Sequence, residues 1–203
     1  MLFVKTPLFI QKLFPSILFR KETTLKQVYL TFDDGPTEGF THWILKLLGS
    51  LNIKATFFCV GENAEQNPNI ISDVLERGHR IGNHTYSHKN AFFSSTKSYF
   101  NDIEKCKDLL PETDLFRPPY GKLFPWQILK IQKHYKIVMW DILSYDFRKN
   151  ITTDKLQKNV LNNLENGSII VFHDNIKSEE ILKECLEDIL VKIKDKGYTF
   201  STL

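Results

Sequence analysis

Short apolar runs that are typical of buried strands alternate with longer segments of helical period along most of this chain. The strand candidates are 28–33, 55–60, 80–83, 115–117, 137–141, 168–173 and 198–200, and the helix candidates between them are 41–50, 69–77, 96–110, 125–134, 153–165 and 179–196. Such alternation predicts an α/β fold with a parallel sheet whose crossover helices cover its faces. Two architectures fit it: an irregular closed βα barrel and an open, doubly wound sheet.

The positions of the polar residues favour one of these architectures. Several reactive side chains lie at or just after the carboxyl end of a strand candidate: Asp33, Asp34, His84, Arg117, Asp141 or Asp146, and His173. In a βα barrel these ends converge on one face, whereas an open sheet spreads them along a line. Chemistry is placed where strand ends converge, so this distribution favours the barrel.

The length of 203 residues suits one well-buried core, and we expect a single domain over residues 1–203. Residues 1–25 are rich in apolar side chains, but Lys5, Lys12 and Pro15 interrupt them and no small-residue cleavage site follows. They are predicted to form a short amphipathic extension packed on the domain, with peripheral membrane contact as the alternative. No transmembrane segment is expected, and the absence of an export signal predicts a cytoplasmic location.

Charge and cysteine content exclude further classes of function. The net charge of +3 is scattered along the chain rather than gathered into a basic stripe, so no nucleic-acid partner is expected. Cys59, Cys106 and Cys185 form no C-x-x-C motif, and three cysteines cannot all pair with one another. Free thiols in a reducing compartment are the simplest interpretation. We expect a monomer.

Two short motifs indicate a metal site. Asp33 and Asp34 end the first buried run just before a Gly-Pro turn, and His84 and His88 lie four apart, on one face if that stretch is helical. Two imidazoles and one carboxylate are a common ligand set for a divalent ion, and the second carboxylate is left to move a proton. The alternatives are a solvated Asp-Gly turn and histidines that cap a helix. The two motifs together favour metal binding.

A stiff segment, Arg117-Pro118-Pro119-Tyr120-Gly121, follows the fourth strand candidate. Its prolines fix the backbone, so its amides would be held ready for a developing negative charge. Arg117 would keep Asp33 ionised through a charge-assisted hydrogen bond. A rigid surface loop is the alternative.

A lone histidine and several aromatic residues complete the candidates. His173 ends a buried run, where a structural role is common, and Asp146 is a candidate to orient its ring. Trp140, Tyr145 and Phe147 offer aromatic faces of the kind that sugars lie on, with core packing as the alternative.

Taken together, these motifs resemble those of the NodB-type polysaccharide deacetylases (carbohydrate esterase family 4), metal-dependent enzymes that remove acetyl groups from sugar polymers. All five motifs of that family occur in order: Thr31–Pro36, His84–His88, Arg117–Tyr120, Leu143–Phe147 and Val171–His173. The fourth motif is usually D-x-x-D-W, but here Leu143 replaces the first Asp and Phe147 the Trp. Val171 replaces the leucine of the fifth. The changes in the fourth motif alter a groove wall, so they bear on substrate identity more than on catalysis.

The resemblance implies a distorted (β/α)7 barrel and a hydrolase that removes N-acetyl groups from an amino-sugar polymer or oligosaccharide, such as peptidoglycan or chitin. It implies one divalent metal ion bound by Asp34, His84 and His88. Zinc is the expected ion, with cobalt, nickel or manganese as alternatives. An O-acetyl ester deacetylase and a catalytically silent glycan-binding domain remain the alternative functions.

The resemblance also implies a role for each remaining candidate. Asp33 would be the general base, steadied by Arg117, and His173 would be the general acid, tuned by Asp146. The backbone N–H of Tyr120 would form the oxyanion hole. The residues expected to contact the acetylated glycan are Pro119, Tyr120, Trp140 and Phe147.

Overall fold

The computed structural model describes residues 3–203, so Met1 and Leu2 of the predicted extension lie outside the described residues. The helices are α1 Leu8–Leu13, α2 Phe40–Ser50, α3 Gly61–Gln66, α4 Pro68–Glu76, α5 Thr96–Lys107, α6 Pro125–Ile131, α7 Thr153–Leu161 and α8 Ile176–Asp195. The strands are β1 Gln27–Asp33, β2 Thr56–Cys59, β3 Arg80–Asn83, β4 Leu115–Phe116, β5 Lys136–Ile137, β6 Ile142–Leu143, β7 Ile169–His173 and β8 Thr199–Ser201. Two 3₁₀ turns cover Ala91–Phe93 and Pro119–Gly121.

The sheet closes on itself. Its strands pair in the order β5-β4-β3-β2-β1-β7-β6, with β8 against the first half of β1, and these strand pairs are parallel. Residues 138–141 join β5 at one end of this order to β6 at the other. So short a connection spans at most about 18 Å, whereas a flat sheet of this order would hold its edges about 29 Å apart. The sheet must therefore curl, and the predicted distorted (β/α)7 barrel is confirmed.

The predicted strand over residues 137–141 is wrong in its bounds, because this stretch changes partner halfway. The Val138 N–H donates to the Phe116 carbonyl of β4 at 2.8 Å, and the Asp141 N–H donates to the Ile169 carbonyl of β7 at 3.0 Å. The Asp141 carboxylate accepts hydrogen bonds from Lys5 and from Ser168, which precedes β7. Asp141 therefore lies near the amino end of β7, away from the reactive set, and Asp146 alone of this pair belongs to that set.

Strand alternation separates two layers of core. From β1, Val28, Leu30 and Phe32 pack in the outer core between the sheet and the helices, while Tyr29 lies in an inner cluster with Phe58, Leu115, Val138, Ile169 and Leu203. Successive side chains point to opposite faces of a strand. Asp33, four residues after Tyr29, therefore points into the barrel at the carboxyl end of its strand.

The segment before β1 lies against the strands where the barrel closes. Isolated bridges pair Lys5 with Ile142, Leu18 with Val138 and Arg20 with Ser168. Helix α1, which the sequence did not predict, leaves Leu8, Phe9 and Leu13 exposed. Between residues 3 and 203, none of the helices combines the length and the hydropathy that crossing a bilayer requires. The three cysteines are buried free thiols, as predicted.

Candidate active site

Asp34 and two histidines form a compact donor set at the carboxyl end of the barrel. Asp34 directly follows β1, and its Oδ1 lies 3.1 Å from His88 Nε2 and 3.5 Å from His84 Nε2. One ligand atom from each of the three residues lies within 4.8 Å of the other two. The structure thus brings together the three predicted metal ligands.

The two histidines belong to a loop after β3 and not to a helix, as their spacing had allowed. Thr85 and His88 have φ values of 64° and 51°, which no α-helix contains. The His84 Nδ1–H donates to the Arg117 carbonyl at 2.7 Å, and His88 Nδ1 lies 3.1 Å from the Tyr120 hydroxyl. Each Nε2 is thereby left to face Asp34. Such partners fix the ring orientation of metal-binding histidines.

Asn83 and Ser87 hold the backbone of this loop. Asn83 Oδ1 accepts from the Thr85 N–H at 2.8 Å. The carboxylate of Asp102, on α5, accepts from the Ser87 N–H at 3.0 Å and from the Ser87 hydroxyl at 2.9 Å. Sequence reasoning missed Asp102, because Asp102 lies on a separate helix and no sequence motif connects that helix with the loop.

The Asp34 carboxylate is charged and oriented. Burial raises its pKa, but hydrogen bonds from His84 and His88 and the charge of His173 outweigh burial and hold it well below the usual range. Asn175 donates to Asp34 Oδ2 at 2.6 Å, which leaves Oδ1 towards the imidazoles. An anionic oxygen with two imidazole nitrogens fits a divalent ion such as Zn²⁺.

Sequence reasoning missed Asn175, which carries a readable signal. Asn is a strong N-cap residue, and Asn175 Oδ1 accepts from the backbone N–H groups of Lys177 and Ser178 at the start of α8. Helix α8 therefore begins at Ile176, before the predicted start at residue 179. One side chain caps the helix and holds the metal-site carboxylate.

Asp33 is held by a fully buried arginine inside the barrel. Arg117 Nη1 donates to Asp33 Oδ1 at 2.6 Å and to Thr31 Oγ1 at 2.8 Å. Its remaining nitrogens donate to the carbonyls of Val138 and Met139, and its guanidinium lies 4.1 Å from the Phe58 ring centroid. Arg117 has 0% exposure. The predicted pair therefore exists, and it sets Asp33 apart from Asp34.

His173 ends β7 and is paired with Asp146. The His173 Nδ1–H donates to Asp146 Oδ1 at 2.8 Å, and its backbone N–H donates to Asp146 Oδ2 at 2.7 Å. Burial lowers the pKa of His173, but Asp146, with smaller contributions from Asp34 and Asp33, raises it to about 9. At neutral pH the ring is a protonated acid.

The Arg117–Gly121 segment presents Tyr120 in an unusual conformation. Tyr120 has a φ of 61°, and its ring centroid lies 4.7 Å from that of His88. Gly121 has a φ of 63°, and a Cβ at this position would lie 2.5 Å from the Trp140 ring. Only glycine allows this close approach.

These side chains surround a cavity of about 290 Å³. Asp33, Asp34, His84, His88 and His173 line one part of it, and Tyr120, Trp140, Leu143, Phe147 and Val171 form an apolar wall. Of the predicted substrate contacts, Tyr120, Trp140 and Phe147 reach the cavity. Pro119 is buried and does not line the cavity, whereas Pro118 does. Asn175 and Lys177 also line the cavity.

Backbone strain is concentrated around this cavity. Within residues 3–203, six residues other than glycine have positive φ, and all but Asn52 lie in the loops of the site: Asp34, Thr85, His88, Tyr120 and Tyr145. Such conformations persist only where the surrounding structure enforces them, and they gather at functional sites.

The chain is similar to known proteins over most of its length. The family model described as polysaccharide deacetylase matches residues 20–140. The chain is 39% identical over 184 residues to a peptidoglycan-N-acetylglucosamine deacetylase of Bacillus cereus and 34% identical over 188 residues to one of Listeria monocytogenes. These matches cover 87% and 90% of this chain but 66% and 39% of the relatives. The chain thus spans less than two thirds of their length.

A solved structure shares almost the whole fold. The crystal structure of the Bc1960 peptidoglycan N-acetylglucosamine deacetylase in complex with 4-naphthalen-1-yl-N-oxidanyl-benzamide matches with a TM-score of 0.88 and 36% identity. The match covers 98% of this chain and 95% of that one.

Proposed function

This chain belongs to the polysaccharide deacetylase family, the NodB-type carbohydrate esterases of family 4, and on that premise we propose that it removes N-acetyl groups from an amino-sugar polymer in a metal-dependent reaction. One observation carries the proposal. A charged Asp-His-His donor set, a separate carboxylate paired with Arg117 and a protonated histidine face one cavity.

Asp34, His84 and His88 would hold the divalent ion. When bound, such an ion polarises the acetyl carbonyl and acidifies the attacking water. Asn175, the Arg117 carbonyl and the Tyr120 hydroxyl keep the three ligands in place through the contacts described above.

Asp33 would act as the general base. Its carboxylate lines the cavity beside the donor set, and Arg117 occupies Oδ1, so Oδ2 is the oxygen that accepts the proton of the attacking water. The buried ion pair keeps this carboxylate in one orientation. Rates depend on such positioning.

The negative charge that develops on the acetyl oxygen needs a donor, and the departing amine needs a proton. The Tyr120 N–H, presented by the strained turn after Pro118-Pro119, would donate to that oxygen. His173 is held at Nδ1 by Asp146, so its Nε2–H would be given to the amine nitrogen. Its raised pKa suits this role at neutral pH.

The shape of the cavity supports an acetylated sugar as the substrate. Trp140, Leu143 and Phe147 give an apolar surface opposite the polar residues, which suits the methyl of an acetyl group and the apolar face of a sugar ring. The relatives named as peptidoglycan deacetylases support an N-acetylated glycan. Peptidoglycan is therefore the first polymer to test.

The experiment is acetate release by the zinc-reconstituted protein from peptidoglycan, chitooligosaccharides and acetylxylan, each with and without a chelator. We expect release from an N-acetylated substrate, loss of release with the chelator, and recovery when zinc is restored. Release from acetylxylan alone would replace the proposal by an ester deacetylase. Glycan binding without any release would replace it by a binding domain.

A further inference from the structure

A cluster of aromatic rings lies outside the catalytic cavity. We call Phe92, Phe93, Lys122, Phe124 and Trp126 the aromatic platform. The Phe92 and Phe124 rings stack with centroids 4.6 Å apart, and the Phe124 and Trp126 rings stack at 4.4 Å with planes 7° apart. Phe92, Phe93 and Trp126 are exposed. Exposed aromatic rings in contact with one another are unusual on a protein surface unless they bind something.

The platform presents one flat and rigid face. One face of Trp126 is covered by Phe124, yet the residue is 55% exposed, so its opposite face is open to solvent. The indole N–H donates to Thr96 Oγ1 at 3.4 Å, which adds a second restraint. At the other end, Lys122 Nζ lies 5.7 Å and 5.8 Å from the ring centroids of Phe92 and Phe93. Within the stack of Phe92, Phe124 and Trp126, the terminal open ring face is therefore that of Trp126.

The platform residues directly follow the two loops that build the active site. Phe92 lies four residues after His88, and Lys122 lies two residues after Tyr120. The Cα of Phe92 is thus within about 14 Å of the Cα of His88. Tyr120 is 48% exposed and belongs to the cavity, so it connects the cavity with the platform along the chain.

We propose that the aromatic platform is a binding subsite for a sugar unit of a longer substrate chain, beyond the immediate neighbour of the unit that is deacetylated. The proposal rests on the proposed function, because a polymer seated in the cavity must leave it along the rim. The apolar C–H face of a pyranose ring buries apolar area against a flat indole. A fixed ring also loses little conformational entropy on binding.

A lipid bilayer is the other surface that exposed aromatic rings contact, and the geometry does not favour it. Here Phe92, Phe124 and Trp126 are stacked upon one another, so these three rings do not project separately as side chains that enter a headgroup region do. Phe93 projects further, and Lys122 lies over its ring. The exposed apolar side chains of α1 belong to a different element. Vesicle binding is therefore the outcome that competes in the test.

The test compares Trp126→Ala, Trp126→Phe and a matched control, Leu129→Ala, which removes another exposed apolar side chain of α6. Deacetylation is measured on chitooligosaccharides from dimer to hexamer, and binding of the hexamer to metal-free protein is measured by calorimetry. For Trp126→Ala we expect about tenfold higher KM and Kd on the hexamer, with kcat and the dimer kinetics unchanged. Trp126→Phe should recover most of the affinity, and Leu129→Ala should match the wild type.

Several outcomes would overturn the subsite. They are equal losses on dimer and hexamer, unchanged hexamer affinity in Trp126→Ala, the absence of hexamer binding by the wild type, or a loss that appears only in binding to phosphatidylglycerol vesicles. Failure of the proposed function looks different. If no substrate releases acetate but Trp126→Ala still weakens binding of the hexamer, the subsite stands and the deacetylase does not.

Discussion

Two adjacent aspartates occupy different environments because the backbone changes between them. Asp33 is the last residue of β1, and strand alternation turns it into the barrel towards Arg117. Asp34 has a φ of 78°, which turns its side chain towards the histidine loop. Identical side chains thus face different partners, Arg117 for Asp33 and the two imidazoles for Asp34.

The first prediction concerns Asp33→Asn. The amide cannot accept a proton from water, so kcat should fall by 10²–10⁴-fold, as is typical when a general base is lost. The bound zinc measured by elemental analysis should stay at the wild-type level, because Asp34, His84 and His88 are unchanged.

The control is Asp154→Asn, which alters an exposed carboxylate on α7 that pairs with Lys158. Its kcat should equal that of the wild type. Wild-type turnover in Asp33→Asn would remove Asp33 from the role of base.

The second prediction concerns the pH dependence. Burial alone would lower the pKa of His173, and Asp146 is the main group that raises it to about 9. An acid works only while protonated, so activity should fall as the pH rises through about 9. In Asp146→Asn the raising charge is gone, and the falling limb of kcat/KM should move to lower pH.

Asp141→Asn is the matched control, because Asp141 is equally buried but pairs with Lys5 instead. It is expected to lose stability and to keep the wild-type pH profile. If the falling limb of the kcat/KM profile does not move in Asp146→Asn, His173 is not the titrating acid.

At the scale of elements, Asn175 links a helix end to the Asp-His-His donor set. Its carbonyl oxygen caps α8, and its amide nitrogen donates to Asp34. The buried side chains of helix α8 belong to the outer core, so the position of the helix start, and of Asn175 with it, is fixed by core packing. The orientation of Asp34 is therefore coupled to the start of the longest described helix.

The third prediction separates these two roles with Asn175→Ser. Serine is as good an N-cap as asparagine, so the free energy of unfolding of the metal-free protein should change by less than about 0.5 kcal/mol. The donor to Asp34 is lost, and zinc affinity should fall by roughly 10–100-fold, as is typical when a residue that hydrogen-bonds to a metal ligand is removed. Denaturant titration and competition with a metal indicator measure the two effects.

Thr152→Ala serves as the opposite control, because Thr152 caps α7 by accepting a hydrogen bond from the Lys155 N–H. It should cost about 1 kcal/mol of stability and leave zinc affinity unchanged. A wild-type zinc affinity in Asn175→Ser would contradict the link.

At the scale of the whole molecule, the Asp-His-His donor set joins loops from separate parts of the barrel. Asp34 follows β1, whereas His84 and His88 follow β3, with β2 between the two strands in the sheet. An ion that binds the folded state and not the unfolded chain stabilises the fold by mass action.

The fourth prediction is that zinc raises the melting temperature. Free zinc at a hundredfold excess over Kd stabilises by about 2.7 kcal/mol, which corresponds to roughly 5–10 °C for a domain of this size. Calorimetry with and without a chelator measures the shift. His88→Ala lacks one of the three ligands, so zinc should raise its melting temperature only slightly. A rise equal to that of the wild type would mean that zinc binds elsewhere.

Much of the site could be predicted because its residues lie in short motifs of the sequence. Strand and helix periodicity depends on near neighbours in the chain, and the sequence placed Asp34, His84, His88, Arg117 and His173 beside strand ends. The partners Asp102, Asn175 and the Arg117 carbonyl lie on other elements. No local pattern reveals such contacts, because they exist only after the barrel has closed.

The sequence by itself determined the alternation of most strands and helices and the residue types available for chemistry, since these follow from local periodicity and composition. The tertiary structure decided that the predicted strand over residues 137–141 pairs first with β4 and then with β7. It also decided which backbone positions take positive φ and which nitrogen of each imidazole faces Asp34. The physical reason is that these features are held by contacts between segments distant in the chain, which overcome local preference only in the closed barrel.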